Sequence, residues 1–179
     1  MIVIVGKTCS GKSTIADFLE EQYLVHRVRT YTTRPPREGE TENEYHFISD
    51  EEFDQMKADG KFFETTQYET TQGLWKYGTG KEEFCLDCCV VMNPDGVKKV
   101  KNLLPPEYDI KIIYLNVTEG VQWNRLRERG QDADEAMRRL ESDKKDFCDI
   151  SNYYDLAITT DNLKAYQIAN MVYNFAMNY

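Results

Sequence analysis

The chain has 179 residues, 41% of them hydrophobic and 30% charged, with a formal net charge of −9. That size suits one domain with an adequate core, and the composition is that of an ordinary globular protein. The acidic balance excludes a general nucleic-acid binder, which needs a basic footprint, yet leaves room for a local cluster of cations around a phosphorylated small molecule. Arginines do concentrate in two stretches, 27–37 and 125–139. No apolar stretch reaches the length of a membrane span, and the first residues lack the basic start and long apolar run of a signal peptide. The expected setting is therefore cytoplasmic, with no membrane partner.

The first element carries the sharpest motif. An apolar run, Ile2–Val5, reads as a core strand and meets Gly6, after which Gly6-x-x-x-x-Gly11-Lys12-Ser13 fits a phosphate-binding loop in full. Gly6 and Gly11 let backbone N–H groups crowd around an anion where a Cβ would clash. Lys12 supplies a point charge for the β- and γ-phosphates, and the Ser13 hydroxyl is the candidate ligand for Mg²⁺. The loop leads into a helix N-terminus, whose orphan N–H groups and dipole favour negative charge. The candidate ATP contacts are Gly6, Lys7, Thr8, Cys9, Ser10, Gly11, Lys12, Ser13 and Thr14; the competing reading is a Gly-rich strand-to-helix turn.

After the loop, Ile15, Phe18 and Leu19 keep helical spacing to Tyr23, and Leu24–Tyr31 alternates apolar and basic residues as one strand. Thr32-Thr33-Arg34-Pro35-Pro36-Arg37 follows, held extended by its two prolines. Two arginines three apart on a stiff segment can converge on one anion as a phosphate clamp, or can belong to a solvated polar loop. Tyr45, Phe47 and Ile48 read as a short strand. Ser49 with Glu52 forms a capping box for the next helix, which Gly60 stops. Lys61–Tyr68 and Leu74–Thr79 read as strands, with Glu64 either a site residue or an exposed strand residue. Thr30–Thr79 is thus a β-rich insertion.

Cys88–Met92 is a fully apolar strand of the kind found in parallel sheets. Asn93-Pro94 opens a helix to Leu104, Lys111–Val117 is the next strand, and Thr118 caps a helix ending at Arg129-Gly130. Asp132 with Glu135 forms a further capping box, before a last strand at Asp155–Thr159 and an amphipathic helix over Asn162–Asn178. Strand and helix alternating around a phosphate loop make an α/β fold with a mostly parallel sheet. Five cysteines without a secretion signal read as reduced thiols; Cys85-x-x-Cys88-Cys89 has no second paired-ligand motif, so buried thiols are expected there rather than zinc.

Four motifs in register then give a family resemblance along nearly the whole chain. The loop Gly6–Ser13, the block Thr32-Thr33-Arg34-x-x-Arg37-x-Gly39-Glu40 with Tyr45-x-Phe47, the pair Phe62-Phe63-Glu64 and Tyr77-Gly78-Thr79, and Arg125-x-x-x-Arg129-Gly130-Gln131-Asp132 with Arg139 together resemble the guanylate kinase family. The resemblance implies a P-loop kinase with a core (1–29, 80–117 and 148–179), a β-rich monophosphate-binding lobe (30–79) and a helical lid (118–147). It implies ATP-dependent phosphorylation of GMP or dGMP, with Mg²⁺, by in-line phosphoryl transfer. Arg34, Arg37, Tyr45 and Tyr77 would hold the acceptor's phosphate. Glu64 would accept from guanine N1–H and the 2-amino group, with Thr30 and Thr79 bonding O6 and the amino group. Lys12, Arg34, Arg125, Arg129 and Arg139 would neutralise charge during transfer.

The chain departs from the family where an Asp-x-Asp usually follows the third core strand: Val91-Met92-Asn93 stands there. Asn93 keeps an amide oxygen for the 2-amino group, whereas Val91 offers nothing to a metal. Alternatives in view are a related P-loop kinase with another acceptor, such as dTMP or a phosphorylated ribose, and a non-catalytic guanylate-kinase-like binding module. The sequence leaves monomer or homodimer open.

Overall fold

Four residues with no polar side chain, Ile2–Val5, set the centre of the first sheet: each is at most 2% exposed, so the strand must be covered on both faces. The computed structural model describes residues 1–36 and 45–178. It contains two units, one built from residues 1–27 and 86–179 and the other from 28–85.

In the first unit β1 (Ile2–Gly6) lies between β7 (Cys88–Met92) and β8 (Lys111–Asn116) and runs parallel to both, with Ile2 opposite Cys89 and Lys111. The sheet order is β2-β7-β1-β8-β9, where β2 is His26–Val28 and β9 is Leu156–Thr159. Alternation sorts the side chains. Ile2 and Ile4 face helices α1 (Lys12–Tyr23) and α6 (Ala165–Met177), meeting Ile15, Leu19, Ile168 and Val172. Helix α3 (Pro94–Leu103) packs against β1 and β7, and α4 (Glu119–Glu128) pairs with α5 (Ala133–Asp146). In an open parallel sheet, ligands bind beyond the carboxyl ends of the strands, and β1 delivers the phosphate loop there.

The second unit is a four-stranded sheet ordered β4-β3-β6-β5, from β3 (Thr30–Thr32), β4 (Tyr45–Phe47), β5 (Phe62–Thr70) and β6 (Gly73–Gly80). Helix α2 (Asp50–Ala58) covers one face through Phe53, which stacks on Phe62 at 4.7 Å between ring centroids. Phe62 in turn lies over Gly78, where an added Cβ would come within 2.8 Å of the ring.

The single strand expected over Leu24–Tyr31 is in fact two. His26–Val28 joins the first sheet and Thr30–Thr32 the second, and the break falls at Arg29, whose N–H donates to the Glu83 carboxylate at 3.0 Å instead of to a ladder. Two expected caps also differ. The Thr118 side chain makes no cap bond to α4; its N–H donates to Asp161 Oδ1 at 3.0 Å. Asp132 caps α5 by accepting from the N–H groups of Asp134 and Glu135, while the Glu135 carboxylate turns to Arg138 and Arg139 rather than back to the cap. Ser49 and Asn93 cap as their sequence positions indicate, accepting from Glu52 and Gly96 N–H.

Gly78→Ala should destabilise the protein by about 1–3 kcal/mol in a urea denaturation series, because the buried Phe62 ring must move off Phe53 to admit the methyl group. Unchanged stability would mean that the ring contact is not tight.

Candidate active site

The residues of the phosphate-loop motif lie in the first unit. Gly6 ends β1 under strict steric demand: a Cβ there would lie 2.5 Å from Ser10 Oγ and 2.6 Å from the Leu115 carbonyl oxygen. Gly11, with φ of +92°, takes the left-handed conformation that opens α1. The amides of Lys12, Ser13 and Thr14 form the first turn of that helix and have no acceptor within it, which leaves them for an anion. Lys7 and Ser13 are half-exposed, Thr14 is exposed, and Ser10 is buried.

Lys12 Nζ donates to the Lys7 carbonyl at 2.9 Å. Burial pushes its ammonium down to about 8; Asp143 and Cys9 oppose that shift, and the nearby Arg129 guanidinium adds to it. Lys12 thus feels the positive charge of Arg129 at the start of α1.

The arginines at 125, 129 and 139 have distinct settings. Arg125 bridges the loop to the end of β9, donating to Cys9 O at 2.9 Å and to Thr160 O at 3.1 Å. Arg129 caps the C-terminus of α4 and is exposed. Arg139 donates to Glu135 at 2.8 Å, and Arg138 reaches the same carboxylate through two N–H groups. Burial pushes the Glu135 carboxyl up, but the hydrogen bonds from Arg138 and Arg139 outweigh it and hold the group at about 2.

Cys9 adopts φ of +59° without being glycine. Its side chain is buried against Leu126, Ala136 and Leu140, with Trp123 packed alongside. Next to it, Thr8 donates through its N–H to Asp143 at 2.8 Å and through its hydroxyl at 3.3 Å, and Gln122 donates to the same carboxylate. Asp143 and Gln122 escaped the sequence reading. The available signal was a polar residue ending an apolar stripe: Ala136, Leu140 and Asp143 share one helix face.

Val91 packs against the hydrophobic core, and Asn93 Oδ1 accepts from Gly96 N–H at 2.8 Å. Among the described residues no group of three or more His, Cys, Asp or Glu side chains is placed to hold a metal. Ser13, at the first turn of α1, fits a divalent ion that takes its remaining ligands from phosphate and water. Cys88 and Cys89 are fully buried in β7, where burial pushes the Cys89 thiol up.

The residues expected to hold the acceptor lie in the second unit, where sheet register sets their placement. Tyr45 pairs with Thr30, Thr30 with Thr79, and Thr79 with Glu64, so one row crosses all four strands. Two residues on, Phe47, Thr32, Tyr77 and Thr66 make the next row on that face. Glu64 joins the first row because β5 bulges: Phe62 opposes Gly80 while Glu64 opposes Thr79, leaving Phe63 as the extra residue. Without the bulge Glu64 would oppose Gly78 and point to the α2 face. Glu64 is only 8% exposed, and Thr79 Oγ1 donates to its Oε1 at 2.8 Å.

Arg34 is 2% exposed, with its guanidinium 5.3 Å from the Tyr45 ring centroid and 5.6 Å from that of Phe47. Its N–H donates to Thr32 Oγ1 at 3.1 Å and its Nη1 to Pro35 O at 2.8 Å. Tyr77 meets Tyr45 edge-on at 6.4 Å. The structure thus gathers Thr30, Arg34, Tyr45, Glu64, Tyr77 and Thr79 on one sheet. Arg37 lies outside the described residues.

The Glu135 contacts carry a pH signature. A carboxylate held near 2 against an ordinary 4.5 contributes stability that is complete above about pH 4.5 and is lost as pH falls toward 2. Glu135→Gln should cost about 1–3 kcal/mol at pH 7, with the partly exposed arginines screening the pair, and the gap to wild type should close as the pH falls through that window. A gap that is constant with pH would show that the arginines do not hold the charge.

Comparison with known proteins bears on the whole of this geometry. The family model described as guanylate kinase matches residues 1–172. The guanylate kinase of Neisseria gonorrhoeae is 31% identical over 172 residues, spanning 92% of this chain and 81% of the relative, and that of Nostoc sp. is 29% identical, spanning 92% and 84%. Among solved structures, the guanylate kinase of Anaplasma phagocytophilum superposes with a TM-score of 0.69 at 21% identity, covering 99% of this chain and 86% of that one. An uncharacterized protein from Eubacterium ventriosum matches at a TM-score of 0.55 and 14% identity, covering 100% and 99%. With a match running almost end to end, the chain belongs to the guanylate kinase family.

Proposed function

We infer that this chain transfers the γ-phosphoryl group of ATP to GMP, and that the residues described above divide the work. The observation that carries the reading is Glu64, turned by the Phe63 bulge into one row with Thr79, Thr30 and Tyr45, in a chain that keeps a complete phosphate loop. Guanine offers two adjacent donors, N1–H and the 2-amino group, and a carboxylate accepts from both; adenine presents no such pair on that edge. Thr79 gives its one hydroxyl proton to Glu64, so its oxygen lone pairs are available to an amino N–H. Arg34 and Arg37, with the hydroxyls of Tyr45 and Tyr77, hold the acceptor's phosphate, and Asn93 can add an acceptor for the 2-amino group.

Phosphoryl transfer asks for positioning and charge neutralisation more than covalent chemistry. The loop amides and Lys12 take the ATP phosphates, and Arg125, Arg129 and Arg139 add positive charge and help exclude water from the transferring group. The Ser13 hydroxyl would hold a Mg²⁺ ion that arrives with ATP, and that ion would supply neutralisation of the phosphates' charge. Glu135 holds Arg139 at the lid face, so the guanidinium is pre-oriented before substrate arrives.

A coupled assay of ADP formation across GMP, dGMP, AMP and dTMP tests the reading, with turnover expected for the guanine nucleotides alone. Comparable turnover of AMP or dTMP would overturn it. Glu64→Gln should lower kcat/KM for GMP by about 10- to 100-fold, the worth of a charge-assisted pair, and leave the ATP KM within about twofold. Arg34→Ala should raise the GMP KM by about tenfold or more through loss of one charge-assisted contact. A wild-type KM would remove Arg34 from the clamp.

A further inference from the structure

We infer that Asp143 is a positioning residue for phosphoryl transfer: from lid helix α5 its carboxylate fastens Thr8 of the phosphate loop, and through Gln122 it ties that loop to α4. The carboxylate accepts three hydrogen bonds, two from Thr8 (N–H at 2.8 Å and hydroxyl at 3.3 Å) and one from the Gln122 amide. Asp143 is 8% exposed and Gln122 2%, so neither group has bulk water as a substitute partner. A carboxylate is placed in such a setting only when its hydrogen bonds offset the cost of desolvation. Burial pushes the Asp143 carboxyl up, while the Thr8 N–H, the Lys12 charge, and the Gln122 and Thr8 side chains pull it back toward the ionised form.

The contact is one of three that hold the same two loop residues. The Arg125 guanidinium holds the Cys9 carbonyl, and the Cys9 side chain is enclosed by Leu126, Ala136 and Leu140 from the two lid helices. Cys9 has a left-handed backbone without being glycine, a conformation that costs roughly 1 kcal/mol and persists only where neighbours impose it. Thr8 and Cys9 lead directly into the amides that receive phosphate. A displacement of about 1 Å in such donors can cost on the order of a hundredfold in rate, so a fixed Thr8 preorganises the cradle.

The inference rests on the ATP-site reading of Gly6–Ser13, and the hydrogen-bond inventory makes it testable apart from that reading. Asn at position 143 can accept from Thr8 N–H and Gln122 through its amide oxygen and donate to the Thr8 hydroxyl through its amide nitrogen; Ala can do none of this. The full chain without nucleotide is followed by NMR hydrogen exchange at the Thr8 amide, and steady-state kinetics are then measured with ATP and GMP varied separately. In wild type and Asp143→Asn the Thr8 amide is expected to be protected, and in Asp143→Ala to exchange about tenfold faster or more. Asp143→Ala should lower kcat/KM for ATP by about tenfold or more, Asp143→Asn by less than about threefold, and both should leave the GMP KM within about twofold.

Asn falling as far as Ala would assign the effect to charge and overturn the positioning role, as would an unaffected Ala variant or parallel losses toward ATP and GMP. Where Asp143→Ala does not fold, Gln122→Leu keeps the volume and removes one donor. It should give faster Thr8 exchange with about a threefold loss toward ATP, and wild-type values in both would overturn the inference. A protected Thr8 in a wild-type protein that does not turn over ATP would instead refute the functional reading and leave the contact standing.

Discussion

Positive charges gathered in one place need acceptors of their own, and the start of α1 in the first unit is arranged around that constraint. Lys12, Arg129 and the first-turn amides of α1 gather around the phosphate loop, and burial with the neighbouring guanidinium brings the Lys12 ammonium down to about 8. The protein relieves the strain with its own acceptors. The Lys7 carbonyl takes the lysine, the Cys9 and Thr160 carbonyls take Arg125, and Glu135 takes Arg138 and Arg139. Asp143 lies on the same helix face as Glu135 and Arg139, at intervals of four, and completes the series at Thr8. These pairs contribute less as stability than as orientation, since the partly exposed ones are screened and the buried ones offset their own desolvation.

The second unit lines up its side chains by sheet register. Parallel or antiparallel, paired residues share a face, so four side chains from four strands form a line without any loop being involved. The line would fail at Glu64 but for one inserted residue. Phe63 bulges out of β5, and the carboxylate changes face; Phe62, before the bulge, stays in the core on Phe53 and over Gly78. The bulge thus sends Phe62 and Glu64, two residues apart, to different places: Phe62 packs in the core and Glu64 joins the row with Thr79.

What the sequence showed plainly was chemistry carried by short local patterns. The phosphate loop, the Ser49 and Asn93 caps and the apolar strands depend on neighbours within a few residues, and each stands where its pattern placed it. What it did not show depends on pairing at a distance. The run Leu24–Tyr31 alternates smoothly, and nothing local marks Arg29 as the point where one sheet ends and another begins; the Glu83 carboxylate that takes its N–H is 54 residues away. The bulge at Phe63 is invisible for the same reason, since it exists only relative to β6. Arg125 reads as a lid arginine from its motif, yet its partners, Cys9 and Thr160, lie far off in the chain.

The missing acid at position 91 belongs to this same division between local pattern and distant pairing. Val91 opposes Ile4 in the central ladder and packs against the core, a position where an aspartate would need a partner that the surrounding aliphatic side chains do not provide. A divalent ion that prefers phosphate and water oxygens would not require that acid directly, provided the phosphates were held in place. The burden then shifts to the rigidity of the loop that holds them. In the proposed arrangement that rigidity would come from α4 and α5, through Arg125 on Cys9 and Asp143 on Thr8, which would make the fixed loop the physical counterpart of the apolar strand beside it.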